Sequence, residues 1–138
     1  MIQRIQTIWL LLATICIFLT MHFPTYTGNS KDDIPYAILN GKYNALFTIF
    51  TSGVGVAILI TIFLFKNRKL QFRINLFTIF LLVGLLIYYF FEANKFVGMG
   101  NLSFVGTTLH IATFTFLILS LKGILADNKI IKDSDRLR

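Results

Sequence analysis

Four long apolar stretches alternate with shorter polar connectors along the chain. Each stretch is close to the 17–25 mainly apolar residues that a membrane-spanning helix needs. The stretches lie at about residues 5–23, 44–65, 74–91 and 102–125. The pattern predicts an all-α fold, an integral-membrane four-helix bundle that forms one domain over the whole chain. A charged tail follows the last stretch, at residues 126–138.

The connectors carry weaker local signals. The segment from Pro24 to Tyr43 is the only long polar connector, and Ser30 and Asp33 in it are spaced like a helix-capping pair. This spacing favours a short interfacial helix over residues 33–39, in the connector between the first and second spans. Gly98 to Asn101 is typical of a turn between the third and fourth spans.

A basic segment from Lys66 to Arg73 separates the second and third spans, and we interpret it as a loop. If all four stretches span, ten of the 13 Lys and Arg residues lie on the side of this loop and of both termini. The positive-inside rule then places both termini in the cytoplasm, with the protein inserted in the membrane as two transmembrane hairpins.

Composition supports a membrane protein and argues against other classes. Hydrophobic residues make up 56% of the chain and charged residues only 14%, against about 25% charged in soluble domains. The net charge of +7 is adjacent to apolar runs, which favours contact with anionic lipid rather than nucleic acid. The single cysteine, Cys16, lies mid-span and permits no intramolecular disulfide.

Small and polar side chains recur at helical spacing on the second and fourth spans. Such faces let helices approach closely in lipid, and a polar pocket in the outer half of the bundle is the alternative interpretation. The candidate residues for either role are Thr48, Thr51, Ser52, Gly55, Gly106, His110 and Thr113.

Basic side chains at the predicted cytoplasmic surface are candidates for a second role. They serve as topological anchors beside anionic headgroups, or they form a docking surface for a partner. These residues are Arg4, Lys66, Arg68, Lys69, Arg73, Arg136 and Arg138.

The residues that usually carry catalysis are scarce. The sequence has no nucleophile–base set, metal-binding motif or phosphate-binding loop, so we predict a protein that is not an enzyme and holds no cofactor. His22 and His110 are the only histidines, and two facing histidines can ligate haem iron. Their different depths make haem a minor alternative. Glu92 and Lys95, three residues apart, are expected to pair at a helix end.

The two ends of the chain carry a resemblance. Met1 to Leu12 reads MIQRIQTIWLLL, and Asp133 to Arg138 reads DSDRLR. These ends resemble a family of small four-helix inner-membrane proteins of the Bacteroidota that is described only as a domain of unknown function. The resemblance implies a bacterial inner-membrane protein and brings no activity or site residue with it.

Three functions are compatible with these observations. We expect a non-enzymatic accessory subunit or assembly factor of a larger inner-membrane complex, such as a translocase, which would contact lipids and other integral membrane subunits. One alternative is a small-molecule or lipid-binding protein with a pocket in its outer half. A haem-linked redox protein is the remaining alternative.

Overall fold

Four helices dominate the structure, a computed structural model that describes residues 2–30 and 37–136. They are α1 (Ile2–Leu19), α2 (Ala45–Phe63), α3 (Arg68–Ala93) and α4 (Phe104–Arg136). By length and hydropathy, α2, α3 and the Phe104–Asp127 part of α4 can cross a membrane, whereas the apolar part of α1 is shorter. The prediction of a mainly helical, four-helix fold is therefore confirmed, and three of the four predicted spans are long and apolar enough to cross a membrane.

The helices form a closed ring in which each one packs against the next along the chain. α4 returns to α1, and these two helices make the most extensive contact of the bundle. The interior is filled by apolar side chains such as Leu10, Phe47 and Leu82, which are fully buried. Phe80 and Phe104 on the exterior are more than 70% exposed, as expected where lipid is the surrounding solvent.

A three-stranded antiparallel sheet caps one end of the bundle, so the all-α prediction is wrong in this region. Its strands are β1 (Tyr26–Ser30), β2 (Ala37–Leu39) and β3 (Phe96–Leu102), in the order β2-β1-β3. The turn predicted at residues 98–101 lies inside β3. Of the predicted interfacial helix, residues 37–39 form β2 and residues 33–36 lie outside the described residues.

Close backbone approach explains why the paired strands contain glycine. A Cβ atom on Gly28 would lie 3.2 Å from the Cα atom of Gly100, and a Cβ atom on Gly100 would collide with the ring of Tyr26. That ring packs edge-on against Phe96, with centroids 5.3 Å apart. Glycine in β1 and β3 therefore leaves room for an aromatic side chain to lie across the sheet.

Three helix boundaries differ from the predicted ones. α1 ends at Leu19 rather than near residue 23, and the chain leaves it in a turn in which the N–H groups of Met21 and His22 bond to carbonyls three residues back. α3 begins at Arg68 rather than near residue 74, since the Asn67 side chain accepts a hydrogen bond from the N–H of Leu70. The basic segment is thus a 3₁₀ turn and the start of a helix, not a loop. α4 continues through the predicted tail to Arg136.

At the end opposite the sheet, which we call the charged end, polar side chains join three helices. Gln6 of α1 donates a hydrogen bond of 2.8 Å to the buried carboxylate of Asp127 on α4. The Arg68 guanidinium of α3 lies 4.0 Å from the same carboxylate oxygen. Gly123 makes room for this contact, because a Cβ atom there would lie 2.7 Å from the Gln6 side chain.

The Gln6–Asp127 bond generates a stability prediction. Replacing Gln6 with Leu leaves a buried carboxylate without its amide donor, so we expect the free energy of unfolding to fall by about 1–3 kcal/mol. Trp9 is stacked on Phe116 of α4, so its fluorescence during denaturing-detergent titration measures separation of α1 from α4.

A double-mutant cycle provides the control. If the two side chains interact, Asp127→Leu costs less in the Gln6→Leu background than in the wild-type protein. Strict additivity of the two single substitutions would contradict the interaction.

Candidate functional site

A buried polar cluster lies inside the bundle next to the sheet, and we call it the sheet-end cluster. It consists of Thr25 just before β1, Thr51 of α2, Tyr89 of α3 and His110 of α4. The Thr25 Oγ1 and His110 Nε2 atoms are 3.4 Å apart, and the His110 and Tyr89 rings pack edge-on with centroids 4.9 Å apart. Three helices and the sheet connector therefore meet at one polar point.

Several polar atoms of this cluster are not hydrogen-bonded. Tyr89 is 5% exposed and His110 2%, yet among the described residues the Tyr89 hydroxyl, His110 Nδ1 and Thr51 Oγ1 have no hydrogen-bond partner. The Tyr89 hydroxyl lies beside Thr25 and Thr51 without well-formed hydrogen-bond geometry. A buried polar group left unpaired costs about 1–3 kcal/mol, so this arrangement favours a polar group bound next to it.

A cavity of about 450 Å³ adjoins the cluster. It lies between α3, α4 and the sheet, and it is lined by Thr25, Tyr89 and His110 together with mostly apolar side chains that include Leu86 and Phe114. Its volume lies within the range of about 300–1,000 Å³ of small-molecule sites, which also combine an apolar lining with a few polar groups.

The residues predicted for the outer-half pocket are only partly brought together. His110 lines the cavity, and Thr51 is fully buried beside Tyr89. Thr48 is exposed and donates to the Asn44 carbonyl at 3.2 Å, while Ser52 donates to the Thr48 carbonyl at 2.6 Å. Thr48 and Ser52 are thus satisfied by their own helix, a common behaviour of hydroxyl side chains in membrane helices.

The other three residues of that set lie in close helix packing. A Cβ atom on Gly55 would lie 2.7 Å from the Phe18 ring of α1, and one on Gly106 would collide with the Pro24 carbonyl oxygen. Glycine at these positions lets α2 approach α1 and lets α4 approach the start of the sheet. Thr113 is fully buried and donates to the Leu109 carbonyl at 2.8 Å.

The predicted basic residues lie at the charged end where the structure describes them. Arg68 faces Asp127 across 4.0 Å, whereas Lys69 and Arg73 are exposed on the first turns of α3. Arg4 belongs to α1, Lys66 to the 3₁₀ turn and Arg136 to α4. Arg138 lies outside the described residues.

The sheet end also contains an ion pair and both histidines of the chain. The predicted Glu92–Lys95 pair is confirmed, with Lys95 Nζ 2.6 Å from Glu92 Oε1. The hydrogen bond to Glu92 raises the pKa of Lys95. His22 is exposed in the turn after α1, whereas His110 is buried against Tyr89. Among the described residues, no group of three or more His, Cys, Asp or Glu side chains is arranged to hold a metal ion.

The sequence did not identify two members of the cluster. Tyr89 resembles an interfacial anchor when only its position near the end of a span is known, and Thr25 lies in a connector with no helical periodicity. Their shared role depends on the pairing of β1 with β3, which brings residues more than 60 positions apart together. For these two residues, the local signal in the sequence is limited to a tyrosine one turn before the end of a helix.

Comparisons with known proteins place the chain in a family. The chain matched no curated protein and no solved structure. A family model does match residues 2–137, so the match includes all four helices and the connectors that form the sheet. The resemblance to a family described only as a domain of unknown function is therefore confirmed over nearly the whole length, and the chain belongs to the family described as Domain of unknown function (DUF4293).

Proposed function

We propose that this protein binds a membrane amphiphile in the cavity between α3, α4 and the sheet. The observation that carries the proposal is the combination of an apolar cavity of about 450 Å³ with buried polar atoms of Tyr89 and His110 that lack partners among the described residues. An apolar lining suits a hydrocarbon chain, and the polar atoms suit a head group. Binding here needs no catalytic group, consistent with a non-enzymatic role.

A lateral opening supports entry from the bilayer. Phe90 and Ile111 line the cavity and are each more than 60% exposed. They belong to α3 and α4, which contact each other less than any other neighbouring pair of helices in the ring. A hydrocarbon chain in the bilayer can therefore reach the cavity between these two helices.

A cavity-filling substitution tests amphiphile binding. Ala93→Trp places an indole in the cavity lining. We expect this variant to retain only a minor part of the lipid that co-purifies with the wild-type protein, as measured by native mass spectrometry. Val83→Trp is the matched control, because Val83 lies on the exposed face of the same helix and should leave bound lipid unchanged. Equal lipid occupancy in the wild type and in Ala93→Trp would contradict the proposal.

The proposed membrane orientation places the sheet end outside the cytoplasm. The ten Lys and Arg residues counted on one side of the membrane belong to the start of α1, the turn into α3 and the C-terminal part of the chain. The positive-inside rule then supports an inner-membrane protein with both termini in the cytoplasm. The cavity would face the outer leaflet in this orientation.

Reporter fusions test the orientation. We expect green fluorescent protein fused after Arg138 to fluoresce and alkaline phosphatase fused at the same position to be inactive, because each reporter works on only one side of the membrane. The reverse pair of results would place the C-terminus outside and contradict the proposal.

An accessory role in a larger membrane complex is the second candidate, and one surface favours it. Gly53 of α2 and Gly84 of α3 are exposed, and a Cβ atom on either would meet no atom within 4 Å. Gly53 is one turn from Phe50, Gly84 is one turn from Tyr88, and these two rings are 6.3 Å apart. The glycines therefore lie on one side of the α2–α3 pair, where a partner helix can approach closely.

Filling this surface tests the accessory role. We expect Gly53→Leu combined with Gly84→Leu to abolish co-purification of an integral membrane partner in mild detergent, with thermal stability retained because both positions open outward. Val56→Leu, at an exposed position of α2, is the control and should retain the partner. Recovery of the wild-type protein only as a monomer, or an unchanged partner in the double variant, would contradict the role.

A further inference from the structure

The described lining of the cavity is mostly apolar and carries no charged side chain, and this property constrains its ligand. Among the described residues, none of those lining the cavity is Asp, Glu, Lys or Arg. The nearest described ion pair, Glu92 with Lys95, is closed on itself at 2.6 Å, and neither residue lines the cavity. A charged head group would therefore enter an apolar site without a counter-ion, at a cost of several kcal/mol.

The polar side of the cavity can still recognise a neutral head group. The Tyr89 hydroxyl can donate a hydrogen bond to a ligand oxygen and accept one from a ligand hydroxyl. His110 Nε2 is occupied at 3.4 Å by Thr25, which leaves Nδ1 as an acceptor or a donor according to the tautomer. A hydroxyl group or an ester carbonyl matches both of these groups.

We infer that the cavity selects uncharged amphiphiles whose head group carries hydroxyl or carbonyl oxygens, with Tyr89 and His110 as the recognising residues. This inference rests on the proposed function and adds the chemical class of the ligand. The head group lies beside the sheet-end cluster, and the hydrocarbon chain leaves between Phe90 and Ile111 towards the bilayer. Acylglycerols and long-chain alcohols belong to this class, whereas fatty-acid anions and alkylammonium ions do not.

Competition among ligands with the same chain tests the inference. Tritiated monoolein is bound to the purified protein in one maltoside detergent at pH 8 and displaced by unlabelled monoolein, oleyl alcohol, oleate or oleyltrimethylammonium. We expect the two uncharged compounds to displace the probe at concentrations at least about tenfold lower than the two ions. This ratio corresponds to a difference of about 1.4 kcal/mol in binding free energy.

Two adjacent tyrosines provide a matched pair of variants. Tyr89→Phe keeps the ring and removes the hydroxyl, so we expect monoolein binding about three- to tenfold weaker, as for one lost hydrogen bond. Tyr88→Phe removes a hydroxyl from a ring that stacks on Phe47 at 4.4 Å and does not line the cavity, so it should leave binding unchanged. Thermal unfolding of each variant shows whether the fold is intact.

The outcomes separate this inference from the proposed function. Saturable binding in which oleate or oleyltrimethylammonium competes as well as monoolein would overturn the selectivity while amphiphile binding stands. Unchanged monoolein affinity in a folded Tyr89→Phe variant would overturn recognition by that hydroxyl. If neither the neutral nor the charged compounds bind saturably, the proposed function fails together with the inference.

Discussion

Polar side chains inside a bundle that faces lipid must find partners within the protein, and this constraint organises the whole structure. Two groups of buried polar residues lie at the charged end and at the sheet end, and Asn75 of α3 adds a further contact by donating to the Leu117 carbonyl and to Ser120 of α4. Much of the remaining interior is filled by fully buried apolar side chains such as Val54, Ile58, Leu82 and Leu85. The hydroxyl of the buried Thr113 donates to its own helix.

The two polar groups meet this constraint to different degrees. At the charged end, the Asp127 carboxylate receives the Gln6 amide and faces Arg68, so its charge is compensated by side chains from two other helices. A buried carboxylate that lost its partners would be strongly destabilising. At the sheet end, Thr51, Tyr89 and His110 keep polar atoms without described partners. Unsatisfied polar groups are costly in a structural core and are useful in a binding site.

Hydropathy predicts the helices because a span of the membrane needs a long apolar run, a signal that local sequence carries in full. Helix boundaries and β-strands are harder to predict from the local sequence. The basic residues after Asn67 look like a loop to a hydropathy count, although the Asn67 cap starts α3 there. The sheet pairs Tyr26 with Leu102 and with Leu39, and its glycine-containing strands have no alternating apolar pattern. Long-range pairing of this kind leaves no periodic signal in the sequence.

The candidate site illustrates the same limit at the level of single residues. Helical spacing places Thr48, Thr51 and Ser52 close together on α2, but a difference of one position rotates a side chain by 100°, and only Thr51 is fully buried. His110 could be predicted because a histidine within an apolar span is rare and needs a partner. Its partner Thr25 could not be predicted, because it reaches His110 only through the sheet.

The sheet and the cavity depend on each other. The sheet joins the connector between α1 and α2 to the connector between α3 and α4, and backbone bonds from Thr25 to Leu39 and from Ser103 to Thr25 extend that junction to the helices. The same junction places Thr25, Tyr26, Leu39 and Leu102 over the space between α3 and α4. Helix packing alone would leave that space an open groove in contact with lipid. By covering its end, the sheet converts the groove into a cavity in which the side chains of His110 and Tyr89 are buried, and hydrogen bonds are stronger in such surroundings than at an exposed surface.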